Sequence, residues 1–334
     1  QIFRYEGGRT WRDLGLVSPS IRVLCMASFN GHLYAGLDRV GGGSVVRRVK
    51  DRWEDCGALN GDNVENLCAH DGVLYANTHQ KIYRRTSAGA WTLIGDQPHG
   101  ITQIHATQIY GGHLYLGTWP QGYVLRLEKN GAWTNTGRLG LPEGMALINE
   151  INDLTVYNGK LYAGVIPKAQ VWRYESDGHW TLLQRLANRP DWSEDKVSSW
   201  GRVPCLSVFQ GRLFAATGAC KARACDVDPD GSHGRVWSLQ TGQSVSYDAD
   251  IGGGWTHLAA VRRGGELRLF VNGQKVAASR ALRGNYLDLS TPAPLIIGGG
   301  PQGCFRGELA DVRLYRGALS APEIGALSGA ATRP

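Results

Sequence analysis

The chain has 334 residues, a formal net charge of +7 and only 19% charged residues, together with 46 Gly, 11 Trp and 13 Tyr. This composition is typical of short strands joined by tight turns, and it excludes helical bundles, coiled coils and disordered tails. No apolar run reaches the length of about 18 residues that a membrane-spanning helix needs. The 36 Lys and Arg residues are scattered, which predicts a mildly basic surface, with an acidic glycan as an alternative ligand and no nucleic-acid partner.

A short phrase recurs through the first two thirds of the chain. It consists of a turn of the Asn-Gly type followed by Leu, an aromatic residue and a small residue, as in Asn30-Gly31-His32-Leu33-Tyr34. The aromatic residues of the five copies are Tyr34, Tyr75, Tyr115, Tyr162 and Phe214. An Asn-Gly turn between apolar runs is a favoured signal for a two-residue β-hairpin. Each copy therefore predicts two antiparallel strands.

A second phrase alternates with the first: an apolar strand bearing an arginine, a polar turn and then a tryptophan. Its tryptophans are Trp11, Trp53, Trp91, Trp133 and Trp180. Together the two phrases give four short strands in about 40 residues, which is the repeat of a β-propeller blade. We predict an all-β fold with a propeller of five or six four-stranded blades over residues 1–234. The recurring Tyr and Trp residues are expected to pack between adjacent blades.

Two turns of this region resemble those of known propeller families. The segments Gly7-Gly8-Arg9-Thr10-Trp11 and Ser176-Asp177-Gly178-His179-Trp180 are similar to Kelch-like and Asp-box turns. The resemblance covers the turns only. It implies the propeller fold, and the activity of Asp-box sialidases is not carried over because their arginine triad has no counterpart among these residues.

The last hundred residues, 235–334, lose the repeat. Strand patterns around Trp255 to Arg262 and Glu266 to Val271 lead to an Asn272-Gly273 hairpin, and later strands are predicted over 294–299 and 305–315. A short helix follows, with Ser320 as N-cap and Glu323 at the capping-box position. About 80 residues resemble the second half of laminin G-like, concanavalin A-like jelly-roll domains. The resemblance implies a β-sandwich portion that is reduced, built with strands from the end of the propeller, or completed by further sequence, and we expect it to pack against the propeller.

The region before this change contains an acidic turn and two cysteines. Asp226, Asp228 and Asp230 alternate, which loosely resembles a calcium loop, but a plain acidic turn without a cofactor is the preferred interpretation. Cys220 and Cys225 could close a small disulfide loop, and buried free thiols are the alternative. No signal peptide is visible at the first residues: either it was removed or the chain is an internal piece of a longer protein. We predict a secreted or periplasmic protein, monomeric in solution.

Function in propellers usually resides in the loops that begin each blade and join its second and third strands. Aromatic and cationic side chains in these loops predict sugar binding by Trp119, Tyr123, Trp192, Trp200 and Arg202. Candidate catalytic residues are His79, His99, Glu150 and Lys168. Histidines beside cationic groups would suit a polysaccharide lyase, and Glu150 with Glu194 or Asp195 would suit a glycoside hydrolase.

The predicted function is extracellular binding of a polysaccharide or glycoprotein glycan, at the propeller mouth or by the lectin-like portion. A lyase or glycoside hydrolase acting on an acidic glycan is the alternative, and a protein-interaction scaffold is the second alternative. The sequence leaves open whether the protein is an enzyme. It contains no phosphate-binding glycine loop, no GxSxG nucleophile elbow and no zinc-protease motif.

Overall fold

A computed structural model describes residues 1–15, 17, 22–60, 63–86, 89–143, 149–187, 201–218, 234–240, 242–280, 292, 294–301 and 303–330. β-Strands are the main secondary structure of these residues, and their single α-helix lies near the C-terminal end. Within this part of the chain, no helix has the length and apolar character that a membrane crossing requires. The predicted all-β class is confirmed.

Four consecutive antiparallel sheets have four strands each, and every strand pairs with its neighbour in sequence. The first two sheets are β3 (Arg22–Phe29), β4 (His32–Asp38), β5 (Ser44–Val49) and β6 (Arg52–Ala58), then β7 (Asn66–His70), β8 (Val73–Asn77), β9 (Lys81–Thr86) and β10 (Thr92–Asp96). The next two are β11 (Gln103–Tyr110), β12 (His113–Trp119), β13 (Tyr123–Leu127) and β14 (Trp133–Arg138), then β15 (Glu150–Tyr157), β16 (Lys160–Ile166), β17 (Gln170–Ser176) and β18 (His179–Arg185). This is the predicted blade pattern.

The sheets at the two ends of this series are smaller. Strands β1 (Phe3–Gly7) and β2 (Thr10–Asp13) form a pair before it, and β19 (Arg202–Phe209), β20 (Arg212–Gly218) and β21 (Val236–Leu239) form a three-stranded sheet after it. The described residues thus contain four complete blades and two partial ones. The domain boundary between 234 and 235 stays a prediction, and β21 beyond it pairs with β20.

The repeated turns have the geometry that the sequence predicts. In each copy both central residues have positive φ, for example 48° at Asn30 and 74° at Gly31. A type I′ hairpin turn requires positive φ at both positions, and its twist matches the twist of the flanking strands. Glycine adopts this conformation without the steric cost that a Cβ brings, which explains why it recurs at the second position. All five turns occupy the same place in their sheets, between the first and the second strand.

Adjacent sheets meet at a contact that recurs along the series. The residue two positions after each repeat aromatic packs against the residue eleven positions before the next one. These contacts join Gly36 with Val64, Gly117 with Ile151, and Gly164 with Val203. At the remaining interface Asn77 replaces the glycine, and its Nδ2 donates a hydrogen bond to the carbonyl oxygen of Ile104 at 3.1 Å. At these positions the inner strands of neighbouring sheets pack closely, because a glycine or a hydrogen-bonded asparagine leaves no bulky side chain between them.

The repeated tryptophans pack on the preceding sheet. The indole nitrogens of three of them donate hydrogen bonds to backbone carbonyl oxygens in the preceding sheet or segment of the chain. The pairs are Trp53 with Leu14, Trp91 with Cys56 and Trp180 with Thr136, each at 3.1 Å. Trp133 packs against Gly95 of the preceding sheet, where a Cβ would lie 3.0 Å from its Nε1. The prediction that the aromatic repeat residues pack between blades is confirmed at these interfaces.

The C-terminal portion has a three-stranded sheet, a two-stranded pair and the helix. They are β22 (Leu258–Arg263), β23 (Glu266–Val271), β24 (Gln274–Ala278), β25 (Gly299–Gly300), β26 (Gly303–Cys304) and α1 (Ala321–Ala330). The Asn272-Gly273 turn joins β23 to β24, again with positive φ at both residues. Glu323 Oε2 accepts hydrogen bonds from the backbone nitrogen of Ser320 at 2.7 Å and from its Oγ at 2.6 Å. The predicted hairpin and helix start are confirmed.

The structure differs from the strands predicted over 305–315. Among the described residues this segment joins no sheet, and its apolar side chains are exposed, with Leu314 88% accessible. The same holds for Leu295 to Ile297 before β25. An alternating strand gains stability by placing its apolar face on a second layer, and within the described part of the chain no such layer covers these residues.

The C-terminal portion contacts the repeated hairpin turns. Arg306 Nη2 donates to Asp71 Oδ1 at 2.7 Å, and the backbone nitrogen of Gly111 donates to the carbonyl oxygen of Pro301 at 2.6 Å. Farther along the series, Asp248 Oδ2 accepts from the backbone nitrogen of Gln210 at 2.9 Å. The C-terminal portion therefore leans on the propeller, as predicted, and it does so at the end that carries the hairpin turns. The opposite end of the sheets, which we call the mouth, is the one where the first strand of each sheet begins.

Candidate functional site

Each repeat contributes two residues at the mouth, twelve and ten positions before its aromatic residue. We call them mouth pairs; in chain order they are Arg22 and Leu24, Asn63 and Glu65, Gln103 and His105, Glu150 and Asn152, and Arg202 and Pro204. In the three central repeats both members are polar. In each of these three pairs a side-chain hydrogen bond joins one member to the other.

The bonds within these pairs involve one amide side chain each. Asn63 Nδ2 donates to Glu65 Oε1 at 2.6 Å, and His105 Nε2 donates to Gln103 Oε1 at 2.7 Å. In the third pair, Nδ2 of the asparagine donates to Oε1 of the glutamate. Three neighbouring sheets thus present pre-ordered polar groups side by side at the same level.

Local strand irregularities place two of these side chains. The register between β11 and β12 shifts between Ile104 and Ala106, and the register between β15 and β16 shifts between Ile151 and Asp153. A β-bulge adds one residue to a strand and re-aims its side chain. His105 and Asn152 are the residues at these two shifts, so equivalent bulges account for their equivalent placement at the mouth.

The central pairs also meet across the sheets. His79, four residues after Tyr75, lies with its Nε2 2.9 Å from Glu65 Oε1. The Nε2 of His105 lies 3.8 Å from Glu150 Oε1, and the two imidazole rings are 6.0 Å apart between centroids, edge to face. We call these four residues the histidine–carboxylate cluster. It brings together two residues predicted from sequence, His79 and Glu150, that belong to non-adjacent sheets.

The surroundings of the cluster lower the pKa of one carboxylate and of one imidazole. Burial raises the pKa of Glu65, but the hydrogen bond from His79 and the charges of both histidines outweigh this effect, so the pKa lies below its usual value. The pKa of His105 lies below its usual value, first because burial disfavours the cation and then because His79 and Arg202 add positive charge, against the opposing charges of Glu150 and Glu65. At neutral pH Glu65 is ionised and His105 is neutral.

The tautomer of neutral His105 follows from its hydrogen bond. The side-chain oxygen of Gln103 can only accept, so Nε2 of His105 carries the proton. The lone pair of the ring is then on Nδ1. The cluster therefore contains an imidazole that can take up a proton, near an ionised carboxylate hydrogen-bonded to a second imidazole.

The remaining predicted residues divide into mouth positions and framework positions. Trp119 ends β12 and pairs with Gln103, and Arg202 begins β19 at the mouth. Tyr123 packs against the buried cluster that includes Leu125, and His99 Nε2 bonds the carbonyl oxygen of Trp133 at 2.7 Å. Trp192, Trp200, Glu194, Asp195, Asp226, Asp228, Asp230, Cys220 and Cys225 lie outside the described residues.

Lys168 is nearly buried in the turn between β16 and β17, with φ of 68°. Its carbonyl oxygen accepts a hydrogen bond from the backbone nitrogen of Ala187 at 3.3 Å. Its role and that of the other predicted site residues stay predictions. Among the described residues, no group of three or more His, Cys, Asp or Glu side chains is arranged to hold a metal ion.

Sequence reasoning missed Glu65, Asn63 and Gln103. The signal that finds them is positional: when the repeats are aligned on their aromatic residues, the residue twelve positions earlier is polar in all five copies. In the four later copies the next residue is a fully buried Val or Ile (Val64, Ile104, Ile151 and Val203), so a polar residue directly before such a buried position marks the mouth end of the first strand. Motif searches overlook it because the residue type changes from copy to copy.

A partly buried carboxylate next to the site joins two sheets. Asp153 Oδ2 accepts from the backbone nitrogen of Leu206 at 2.6 Å, and its Oδ1 accepts from the backbone nitrogen of Leu154 at 2.8 Å. Burial raises the pKa of Asp153 to about 6, and the two backbone donors only partly oppose it. The protonated form is thus favoured in the folded protein relative to the unfolded chain, where the pKa of Asp is about 3.9.

This shift predicts a pH-dependent stability. The contribution of Asp153 is fully present below about pH 4 and is lost as pH rises through about 6, by at most about 3 kcal/mol. Urea unfolding between pH 4 and 7.5 should show a steeper fall in the free energy of unfolding for the wild type than for Asp153→Asn. Exposed Asp96→Asn serves as control and should keep the wild-type slope. Equal slopes for wild type and Asp153→Asn would contradict the assignment.

Comparison with known proteins gives one family match over part of the chain and several solved structures of similar fold. Residues 191–325, less than half of the chain, match the concanavalin A-like lectin/glucanases superfamily. The match begins upstream of the predicted boundary and is longer than the stretch of about 80 residues recognised from motifs, because it takes in β19 to β21. No curated protein matches the sequence.

Among solved structures, the extracellular domain of a protein described as a one component system of B. thetaiotaomicron superposes with a TM-score of 0.52 and 14% identity over 83% of this chain. A related structure, described as a hybrid two component system of the same organism, gives 0.51 and 15% over 86%. The chain spans only 35% and 36% of those two domains. Selenomethionine-substituted virginiamycin B lyase from Staphylococcus aureus gives 0.50 and 13%, covering 84% of this chain and 86% of that one.

At these identities the similarity extends to the fold alone. The chain is an all-β protein of propeller-like four-stranded sheets, followed by a portion similar to the concanavalin A-like lectin/glucanases superfamily.

Proposed function

We propose that the protein binds carbohydrate outside the cytoplasm, with a polysaccharide or glycoprotein glycan held at the mouth. The observation that carries this proposal is the set of three hydrogen-bonded mouth pairs in neighbouring sheets. Amide and carboxylate side chains offer donors and acceptors at fixed spacing, which is what the hydroxyl groups of a sugar need. A site built from few, well-placed polar groups is typical of ligand recognition.

The position of Trp119 supports the same reading. It ends β12 directly opposite Gln103 of the central mouth pair, and the side chain is partly exposed. An aromatic side chain that offers both an apolar surface and a polar N–H suits a sugar, which has apolar C–H faces and polar edges. The lectin-like match over residues 191–325 and the extracellular neighbours are compatible with a secreted or periplasmic glycan-binding protein. We propose that it acts as a monomer and without a cofactor.

Affinity electrophoresis in gels that contain neutral or acidic polysaccharides tests this function. Glu150→Gln keeps the size of the side chain but replaces a carboxylate oxygen with an amide, which disturbs the hydrogen bond from Asn152 that orders this mouth pair, and we expect affinity to fall about 10-fold, as for a lost hydrogen bond of about 1.5 kcal/mol. Trp119→Ala should also weaken retardation. Glu128→Gln and Trp11→Ala are matched controls, since Glu128 lies near the hairpin end of its sheet and Trp11 is exposed on the N-terminal pair.

The outcomes separate the alternatives. Retardation that the mouth variants weaken and the control variants leave intact supports binding at the mouth. Retardation that all four variants leave intact moves the site to the lectin-like portion. No retardation in any gel contradicts glycan binding and favours the protein-interaction scaffold, which co-purification with a defined partner would then identify.

A further inference from the structure

The histidine–carboxylate cluster contains two imidazoles close to each other and to carboxylates, an arrangement that can transfer protons as well as bind a ligand. We infer that the mouth catalyses β-elimination in a uronate-containing polysaccharide, with His105 as the base, His79 as the acid and Arg202 at the substrate carboxylate. The inference rests on the proposed glycan binding and adds to it a reaction and a substrate class. It follows from the placement of His79 and His105, whose rings lie 6.0 Å apart between centroids, and of Arg202 at the equivalent mouth position of β19.

His105 has the properties of a base. It sits on a β-bulge, and its Nε2 donates to Gln103, which leaves the lone pair of the ring on Nδ1. Because burial and neighbouring positive charge keep the ring neutral, no proton has to be removed before the reaction. A positioned base of this kind contributes about 10²- to 10⁴-fold to the rate of proton transfer.

Arg202 accounts for the choice of substrate. It begins β19 at the mouth position equivalent to Gln103 and Glu150, and its positive charge acts on the His105 ring. The proton next to a uronate carboxylate is acidic only if the negative charge that develops on the carboxylate is stabilised, and a guanidinium does so with paired hydrogen bonds. A guanidinium at the mouth, the end of the sheets that also holds His105, fits this requirement.

The cluster's own carboxylates are engaged within the protein. Glu65 accepts from Asn63 and lies 2.9 Å from His79, while Glu150 is nearly fully buried and accepts from Asn152. Glu65 can balance a proton on His79 because the carboxylate is ionised. The two rings lie 6.0 Å apart between centroids, so both can contact substrate atoms that are two bonds apart.

The step balances without any co-reactant. His105 takes the proton from C5 of the uronate, and the electron pair of that C–H bond becomes the C4–C5 double bond. The C4–O bond breaks, and the leaving oxygen receives a proton from His79. The products are a chain with a new reducing end and a chain that begins with an unsaturated uronate. One proton is taken up and one is given back, so proton exchange with water resets the cluster.

The experiment uses the full chain with polygalacturonate, alginate and hyaluronan as uronate polymers and with amylose as the polymer that has no carboxylate. Ultraviolet absorbance detects the unsaturated product, and affinity gels with the same polymers measure binding. We expect product from at least one uronate polymer and none from amylose. His105→Gln should lower the rate by about 10²- to 10⁴-fold while retardation in the gel persists.

Matched variants keep the test sharp. His113→Gln is the control, because His113 faces Glu128 at 3.9 Å near the hairpin end of the same sheet and is far from the mouth. It should leave the rate unchanged. His79→Gln should also slow turnover, and Arg202→Lys should retain more activity than Arg202→Gln. Near-wild-type thermal unfolding of each variant verifies that it folds.

Each result decides one point. Retardation by a uronate polymer without product overturns the elimination and leaves the proposed binding intact. Product that His105→Gln forms at the wild-type rate overturns the assignment of the base. Neither retardation nor product with any polymer overturns both this inference and the proposed function.

Discussion

Replacing Trp180 with alanine is expected to lower the free energy of unfolding by about 3–5 kcal/mol, the usual cost of removing a large aromatic side chain from a core. Trp180 is only 8% exposed, its ring centroid lies 5.1 Å from that of Tyr174, and its indole nitrogen bonds Thr136. The change leaves a cavity between two sheets and removes one of the two hydrogen bonds to the Thr136 carbonyl oxygen, which also accepts from the backbone nitrogen of Gly178 at 2.8 Å. Urea unfolding monitored by circular dichroism measures the effect.

Trp11 provides the matched control within the same repeat. It occupies the equivalent position of the N-terminal strand pair but is 59% exposed. Trp11→Ala should change the free energy of unfolding by about 0.5 kcal/mol or less, as exposed substitutions usually do. Equal destabilisation by the two changes would show that contact between sheets is not what the repeated tryptophan provides.

Those two tryptophans also show how far the sequence alone leads. The spacing of the two phrases predicts the strands, the turns and the role of the aromatics, because these depend on local periodicity and on turn chemistry. Whether a given copy is buried depends on the sheet that precedes it. Nothing close to Trp11 in sequence distinguishes it from Trp180, so its exposure emerges only in three dimensions.

The candidate site was only partly predictable for a similar reason. His79 and Glu150 stand out in variable loops, but Glu65 is recognised only once the repeats are aligned, and the contact between His105 and Glu150 depends on a bulge in β11. Bulges reflect the packing of the whole sheet rather than a residue type. The segment 305–315 shows the opposite case, in which a clear strand pattern remains unpaired within the described residues.

Replacing Gly164 with alanine is expected to destabilise the protein by about 1–3 kcal/mol, the cost of overpacking a close contact. A Cβ at this position would lie 2.7 Å from the carbonyl oxygen of Val203 and 2.8 Å from its Cγ1. The carbonyl belongs to β19 and cannot move without disturbing that strand, so the two sheets must separate. Thermal unfolding and urea unfolding both report the loss.

A second glycine tests whether steric contact is the cause. Gly253 has no atom within 4 Å of an added Cβ, and Gly253→Ala should be neutral within about 0.5 kcal/mol. If Gly164→Ala is as neutral as this control, the contact with Val203 is looser than described. If both are equally harmful, the effect arises from the glycine backbone and not from packing between sheets.

The mouth pairs have a consequence for how such proteins diversify. Each central pair is closed by a hydrogen bond within its own repeat, and Arg22 of the first repeat instead forms an ion pair with Asp38 at 2.8 Å. The pairs therefore vary independently of the glycine and tryptophan contacts that hold the sheets together. Two proteins of this architecture can therefore share every contact between blades and still bind unrelated ligands, since each blade contributes its own pair of residues to the binding surface.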